Sequence, residues 1–240
     1  MEAERWLLVG LGNPEPRYRG NRHNIGFMVV EQLARKAELP WRRSTRFSAE
    51  IALGELSKRP VVLAKPQTYM NLSGQCVVPL AHFYRVPCSR IIAVHDEVDL
   101  ELGRLKVKQG GGDGGHNGLR SITELLGDPD YLRVRVGVGR PAVGDVTGHV
   151  LSDFRQEEAE QVADTIERAA RAARTLITRG LKEAMNRFNR PPKDRSEEKT
   201  DKSPPADRAT SKAGGDANDE EQTAGGQKAA ARLNGEPKTA

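Results

Sequence analysis

Apolar positions along the first 190 residues follow two alternating periods. Residues 6–11 form a short continuous apolar run that stops at Gly12-Asn13-Pro14, the pattern of a buried strand ending in a turn. After a polar stretch, Ile25, Met28, Val29, Leu33 and Ala37 recur at helical spacing. Phe47, Ala49, Ile51 and Leu53 then alternate, which predicts a strand over residues 46–56 with one wet face. Residues 61–64 supply its hairpin partner across residues 57–60.

Pro66 excludes helix for its predecessor, and Ser73 can cap a helix with Val77, Leu80, Ala81 and Tyr84 inward. Residues 90–95 form another buried strand, with Asp96 at its carboxyl end. A strand over residues 104–109, a glycine-rich loop and a helix over about residues 116–126 follow. In residues 132–138, Arg133 and Arg135 alternate with Val134 and Val136, giving a strand with a cationic face, wet or turned to a polyanion. Residues 141–150 read as loop. From Arg155, the apolar positions Ala159, Val162, Ile166, Ala170, Ala173 and Ile177 mark a long amphipathic helix stopped by Gly180, with a short helix through Phe188 beyond it. Strands alternating with helices predict one α/β domain, its sheet mixed because of the hairpin.

Composition changes the picture at the C-terminus. Residues 191–240 contain no aromatic residue, and one leucine is their only large aliphatic. Such a segment cannot offset its own ordering entropy, so it is expected to be a disordered tail on a catalytic domain spanning residues 1–190. The tail holds 9 Lys and Arg against 10 Asp and Glu, so the basic excess behind the net charge of +5 lies in the first 190 residues. That leans toward an anionic partner. No apolar run is long enough to span a membrane, and the start shows no signal-peptide pattern. Cys76 and Cys88 lack metal-ligand spacing, as expected of a cytoplasmic protein in a reducing compartment.

The chemistry concentrates at residues 95–122. Asp96, Glu97 and Asp99 follow a buried strand; Arg104, Lys106 and Lys108 come next; then six glycines in residues 110–118 surround His116 and Asn117. Glycines permit positive φ and close approach of a ligand to backbone. The loop lacks the Gly-Lys-Ser/Thr end of a P-loop and the βαβ position of a dinucleotide fingerprint. No Gly-x-Ser-x-Gly elbow supplies a nucleophile, and the five histidines show no zinc pattern. What remains is histidine, aspartate and asparagines on separate strand ends. That set can activate water directly, with a histidine as base, a carboxylate to hold it and amides to position a carbonyl. No metal and no cofactor are called for.

Gly10-Leu11-Gly12-Asn13-Pro14, Arg22-His23-Asn24, Thr68-Tyr69-Met70-Asn71-Leu72-Ser73-Gly74, His95-Asp96-Glu97-Val98-Asp99 and the glycine run 110–118 stand in the order and spacing of bacterial-type peptidyl-tRNA hydrolase. The resemblance extends from about Leu7 to Phe188. It implies a monomeric three-layer α/β/α domain with a twisted mixed sheet, cleaving the ester between a peptide and the 3′-terminal ribose of tRNA. By resemblance, His23 is the base, Asp96 its partner, and Asn13 the residue that helps tell N-blocked peptidyl-tRNA from free aminoacyl-tRNA. Tyr18, Tyr69, Asn71 and Asn117 match substrate or tRNA-end positions, and Met70 lines the same cleft. Lys106, Lys108 and Arg135 match cations near tRNA phosphates of the CCA end and acceptor stem. Where relatives often carry a further lysine, residues 141–150 have none. Two other classes share parts of the pattern. An RNA-binding splicing factor on this fold would not need the His23–Asp96–Asn13 set. A small-molecule esterase would not need the cationic face.

Overall fold

In a computed structural model of the chain, the described residues are 5–141 and 143–190. The expected tail, residues 191–240, lies outside them. Seven strands form one mixed sheet in the order β2-β3-β4-β1-β5-β7-β6. They are β1 (Trp6–Gly10), β2 (Arg42–Ser44), β3 (Ala49–Leu56), β4 (Arg59–Pro66), β5 (Ile91–Glu97), β6 (Leu105–Gln109) and β7 (Leu132–Gly137). β1 runs parallel to both β4 and β5, and β5 runs parallel to β7. The hairpin β3–β4, the short β2 and the edge strand β6 are antiparallel to their neighbours.

Strand alternation sorts the core onto the two faces. Leu8, Ile92, Val94, Val134 and Val136 pack with α1 (Ile25–Lys36) and the last helix, α5 (Ala159–Phe188). Leu7, Val9, Ile91 and Ala93 pack with α2 (Gly74–Phe83) and α3 (Asn117–Leu126). This is the expected three-layer architecture. β1 is the strand from which the chain departs in both directions, to β4 on one side and β5 on the other. A crevice therefore opens beyond the carboxyl ends of β1, β4 and β5, where open α/β sheets hold their sites.

Two glycines bring the helix of the first unit down onto that crevice. A Cβ on Gly10 would stand 2.3 Å from the Gly26 carbonyl oxygen, and one on Gly26 would stand 2.3 Å from the Val94 carbonyl oxygen. Only glycine at both positions lets the start of α1, with His23 just before it, approach the end of β5.

The sequence expectations needed three corrections. β3 begins at Ala49 rather than at residue 46, and a short strand over residues 42–44 precedes it. The stretch 141–150 is not all loop: α4 covers Val146–Val150, capped by Asp145, whose carboxylate accepts from the Thr147 and Gly148 amides. The face of β7 read as wet or polyanion-facing is split, since Arg133 is buried at 1% exposure. Gly180 interrupts α5 as expected, with φ 81° and ψ 179°.

Candidate active site

Three chain segments meet over the end of β5. A 3-10 turn at Arg22–Asn24 carries His23, the strand end carries Asp96, and the N-terminus of α3 carries His116. The Asp96 carboxylate is 2% exposed. Its Oδ1 lies 2.8 Å from His23 Nδ1 and 3.1 Å from His116 Nε2. Burial works against the ionised carboxylate, but its attraction to the two imidazoles and the hydrogen bonds they donate outweigh it. Together they hold the Asp96 pKa far below the usual carboxylate range. An ionised acceptor requires His23 to donate from Nδ1. Its Nε2 is then the lone-pair nitrogen, and His23 lines the cleft.

The turn that bears His23 is clamped from outside. Arg22 is buried and donates to Ser152 Oγ, to the Asp153 carbonyl and to Glu158, whose carboxylate is 2.5 Å away. These bonds make Arg22 a fastener for the turn that carries His23.

Asn13 is fixed by reciprocal bonds. Its backbone N–H donates to Asn24 Oδ1 at 2.8 Å, and Asn24 Nδ2 donates back to the Asn13 carbonyl at 2.9 Å. Its side-chain Oδ1 accepts from the Met70 amide at 3.0 Å. Oδ1 is thereby committed, and the Nδ2 amide protons are left as donors at the cleft wall.

The cleft has a volume of about 700 Å³. Tyr69, Met70, Asn71 and Asn117 all line it with His23, Asp96 and Asn13. Met70 is buried in its floor, whereas Tyr69 stands 59% exposed at the rim, a flat ring presented to solvent. The structure also adds Val146, Thr147, Val150 and Leu151 as a wall from α4. Tyr18 is not brought in: it sits half-buried on the turn Pro16–Tyr18 with the Arg17 guanidinium over its ring.

The glycine-rich loop closes the cleft beside α3. Gly114 and Gly115 take φ of 60° and 82°, which side chains resist, and the Gly115 amide turns onto Asp113 Oδ1. Arg133 holds the loop from beneath, donating to the carbonyls of Gly111 and Gly112 at 2.7 and 2.6 Å. Across the β6–β7 ladder Lys106 faces Arg135 and Lys108 faces Arg133, so four cations share one face. Arg135 is paired with Glu97 at 2.7 Å. Burial, followed by the neighbouring cations, lowers the Lys108 pKa. Lys106 is exposed, and neither lysine has a carboxylate partner among the described residues.

One group of ligand-type atoms within 4.8 Å of one another occurs among the described residues, at His23, Asp96 and His116. Of these residues' atoms, Asp96 Oδ1, His23 Nδ1 and His116 Nε2 are engaged in the hydrogen bonds above.

A buried carboxylate orienting a histidine, with an amide donor fixed nearby in a strand-end cleft, is the equipment of a hydrolase acting on an activated carbonyl. The sequence profile of peptidyl-tRNA hydrolase matches residues 7–199. The chain is 48% identical over 188 residues to the peptidyl-tRNA hydrolase of Mycobacterium marinum, covering 78% of this chain and 98% of the relative. It is 47% identical over 190 residues to that of Streptomyces avermitilis, covering 77% and 93%. The crystal structure of the Acinetobacter baumannii peptidyl-tRNA hydrolase superposes with a TM-score of 0.73 at 38% identity, over 79% of this chain and 96% of that one. The chain belongs to the peptidyl-tRNA hydrolase family.

Proposed function

We propose that this chain hydrolyses peptidyl-tRNA at the ester between the peptide and the 3′-terminal ribose, releasing peptide and free tRNA for further rounds of translation. The observation that carries the reading is the 2.8 Å contact from His23 Nδ1 to a carboxylate buried at the end of β5. It leaves His23 Nε2 as the acceptor for a proton from water. Water attacks the ester carbonyl as Nε2 takes its proton, and the new C–O bond gives a tetrahedral oxyanion. Collapse breaks the bond to the ribose oxygen, which takes the proton back from the imidazolium. Asp96 stays ionised throughout and stabilises that imidazolium. A base of this kind contributes roughly 10²–10⁴ in rate.

Asn13 is the amide best prepared to meet the oxyanion or the neighbouring peptide carbonyl. Its Oδ1 is pinned by the Met70 amide, so its Nδ2 needs no reorganisation. Asn71 and Asn117 are exposed at the cleft, suited to polar groups of the substrate rather than to a fixed donor role. Tyr69 offers its exposed ring to an unpaired base of the CCA end. The apolar wall from α4 suits the peptide. Lys106 and Lys108, beyond the glycine-rich loop, are available for acceptor-stem phosphates, whereas Arg135 reaches them only in competition with Glu97. In this reading the chain works as a monomer. No helix among the described residues is long and apolar enough to cross a membrane, in keeping with work in the cytoplasm, where the substrate arises.

Release of peptide from purified peptidyl-tRNA, with the matching aminoacyl-tRNA as control, tests the reading. Rapid cleavage of the first and slow cleavage of the second are expected. Equal rates on both, or rapid cleavage of simple esters alone, would overturn it.

A further inference from the structure

Asp96 Oδ1 serves two imidazoles, and the hydrolytic reading uses one of them. The other, His116, is the N-cap of α3: its Nδ1 accepts from the backbone amides of Gly118 and Leu119 at 3.1 and 3.4 Å. A nitrogen that accepts two amide protons carries none itself. The proton of neutral His116 must therefore sit on Nε2, which faces Asp96 Oδ1 at 3.1 Å. The positive end of the α3 dipole lies against Nδ1 and opposes a second proton there.

We propose that His116 is a positioning residue locked by its helix cap as the neutral Nε2–H tautomer, whose donation to Asp96 Oδ1 tempers that carboxylate and leaves His23 as the imidazole that takes the catalytic proton. The proposal rests on the hydrolytic reading for its kinetic consequence, but not for the tautomer itself. An unshared Asp96 would hold the His23 imidazolium more tightly. The base would then remain protonated, and so inactive, to higher pH. By sharing its oxygen with the His116 N–H, Asp96 still orients His23 yet holds its imidazolium less tightly.

The surroundings agree. His95, on the same strand, is fully buried, meets the His116 ring edge-on at 4.9 Å and gives its Nδ1 to the Asp96 carbonyl at 2.6 Å. Burial above all pushes the His95 pKa well below the ordinary value, so it adds no positive charge to the cluster. Arg133 lies on the glycine-rich loop carbonyls behind it. Asp113 and Arg120 face each other at 3.7 Å in front, and Glu97 is paired with Arg135. Asp96 is thus the one carboxylate among the described residues in hydrogen-bond contact with His116. The His23 and His116 rings are 5.1 Å apart, close enough for the charge on one to oppose charge on the other.

Two measurements test this. The first is a two-dimensional 15N–1H correlation of the wild-type imidazoles across pH, which needs no activity. His116 is expected to show a lone-pair Nδ1 and a protonated Nε2, and to keep them while His23 takes up its proton. The opposite tautomer, or joint protonation of both rings, would overturn the proposal. The second is the pH profile of kcat/KM in His116→Asn, since asparagine keeps the helix cap but is too short to reach Asp96. The acidic limb is expected to move to higher pH by roughly half to one unit, the effect of one lost neutral hydrogen bond, with the plateau reduced less than tenfold. A limb that stays or moves to lower pH would overturn the proposal. So would a plateau lowered as far as in His23→Ala, which would make His116 the base. Inactivity of the wild type toward peptidyl-tRNA would instead refute the hydrolytic reading and leave the tautomer result standing.

Discussion

Asp96→Asn removes the charge of the buried carboxylate while keeping its shape. In the resting enzyme the asparagine Oδ1 can still accept from His23 Nδ1 at about the same place, so orientation is largely preserved. What is lost is the attraction between a carboxylate and the imidazolium that forms as water is deprotonated. Nδ1 and Oδ1 are 2.8 Å apart, which puts the charge centres roughly 4 Å apart. At an effective dielectric of about 20, that interaction is worth about 4 kcal/mol. Counted instead as one charge-assisted hydrogen bond, it is about 1.5–3 kcal/mol. The variant should therefore lose between ~10-fold and ~10³-fold in kcat/KM on the plateau. The same loss disfavours protonated His23 before reaction, so the acidic limb of kcat/KM should move to lower pH. Initial rates on peptidyl-tRNA between pH 5 and pH 9 measure both effects. A plateau within threefold of wild type, or a limb moved to higher pH, would refute the argument.

Three further outcomes are expected. Alanine at Lys106 or Lys108 should lower the dependence of log binding constant on log salt by roughly 0.7–0.9 each, with single-turnover cleavage nearly unchanged; Arg135→Ala should also lower Tm, because it strips Glu97 of its partner. His95 is held neutral in the fold but can take a proton near its ordinary value of 6.5 when unfolded. The unfolded state therefore binds more protons below that pH, and stability should fall with pH by up to about 1.4 kcal/mol per unit, a slope that urea titrations at pH 5 and 7 should find reduced in His95→Gln. A chain ending at Arg190 should keep its Tm and turnover, since every residue placed in the cleft lies between Asn13 and Leu151; a loss of either would assign the tail a role.

The periodicities made most of the fold legible. Apolar runs at residues 6–11, 61–64 and 90–95 became the central strands, and the break at Gly180 fell where the pattern stopped. α4 was missed because five residues carry too little period to separate a helix from a loop, although Asp145 before Val146 is a cap signal. The candidate grouping was legible through five short motifs in order, and His23, Asp96 and Asn13 do converge on one cleft. The partners that hold them were not. Arg22 and Arg133 look like surface cations in one dimension, yet the carbonyls and carboxylate they satisfy come from segments far along the chain or from a loop that only the fold brings over them. The division of labour between His23 and His116 depends on which nitrogen each presents, and that follows from helix-cap geometry rather than from residue type.

Single-turnover cleavage of peptidyl-tRNA by His23→Ala, with binding measured on the same preparation, tests the central claim most directly. His23 Nε2 has no hydrogen-bond partner among the described residues, so the substitution removes the proposed base and leaves Lys106 and Lys108 in place. Cleavage lowered by roughly 10²–10⁴ with the dissociation constant within a few-fold of wild type is the predicted result. Cleavage within tenfold of wild type would contradict it and return the role of base to another residue of the cleft.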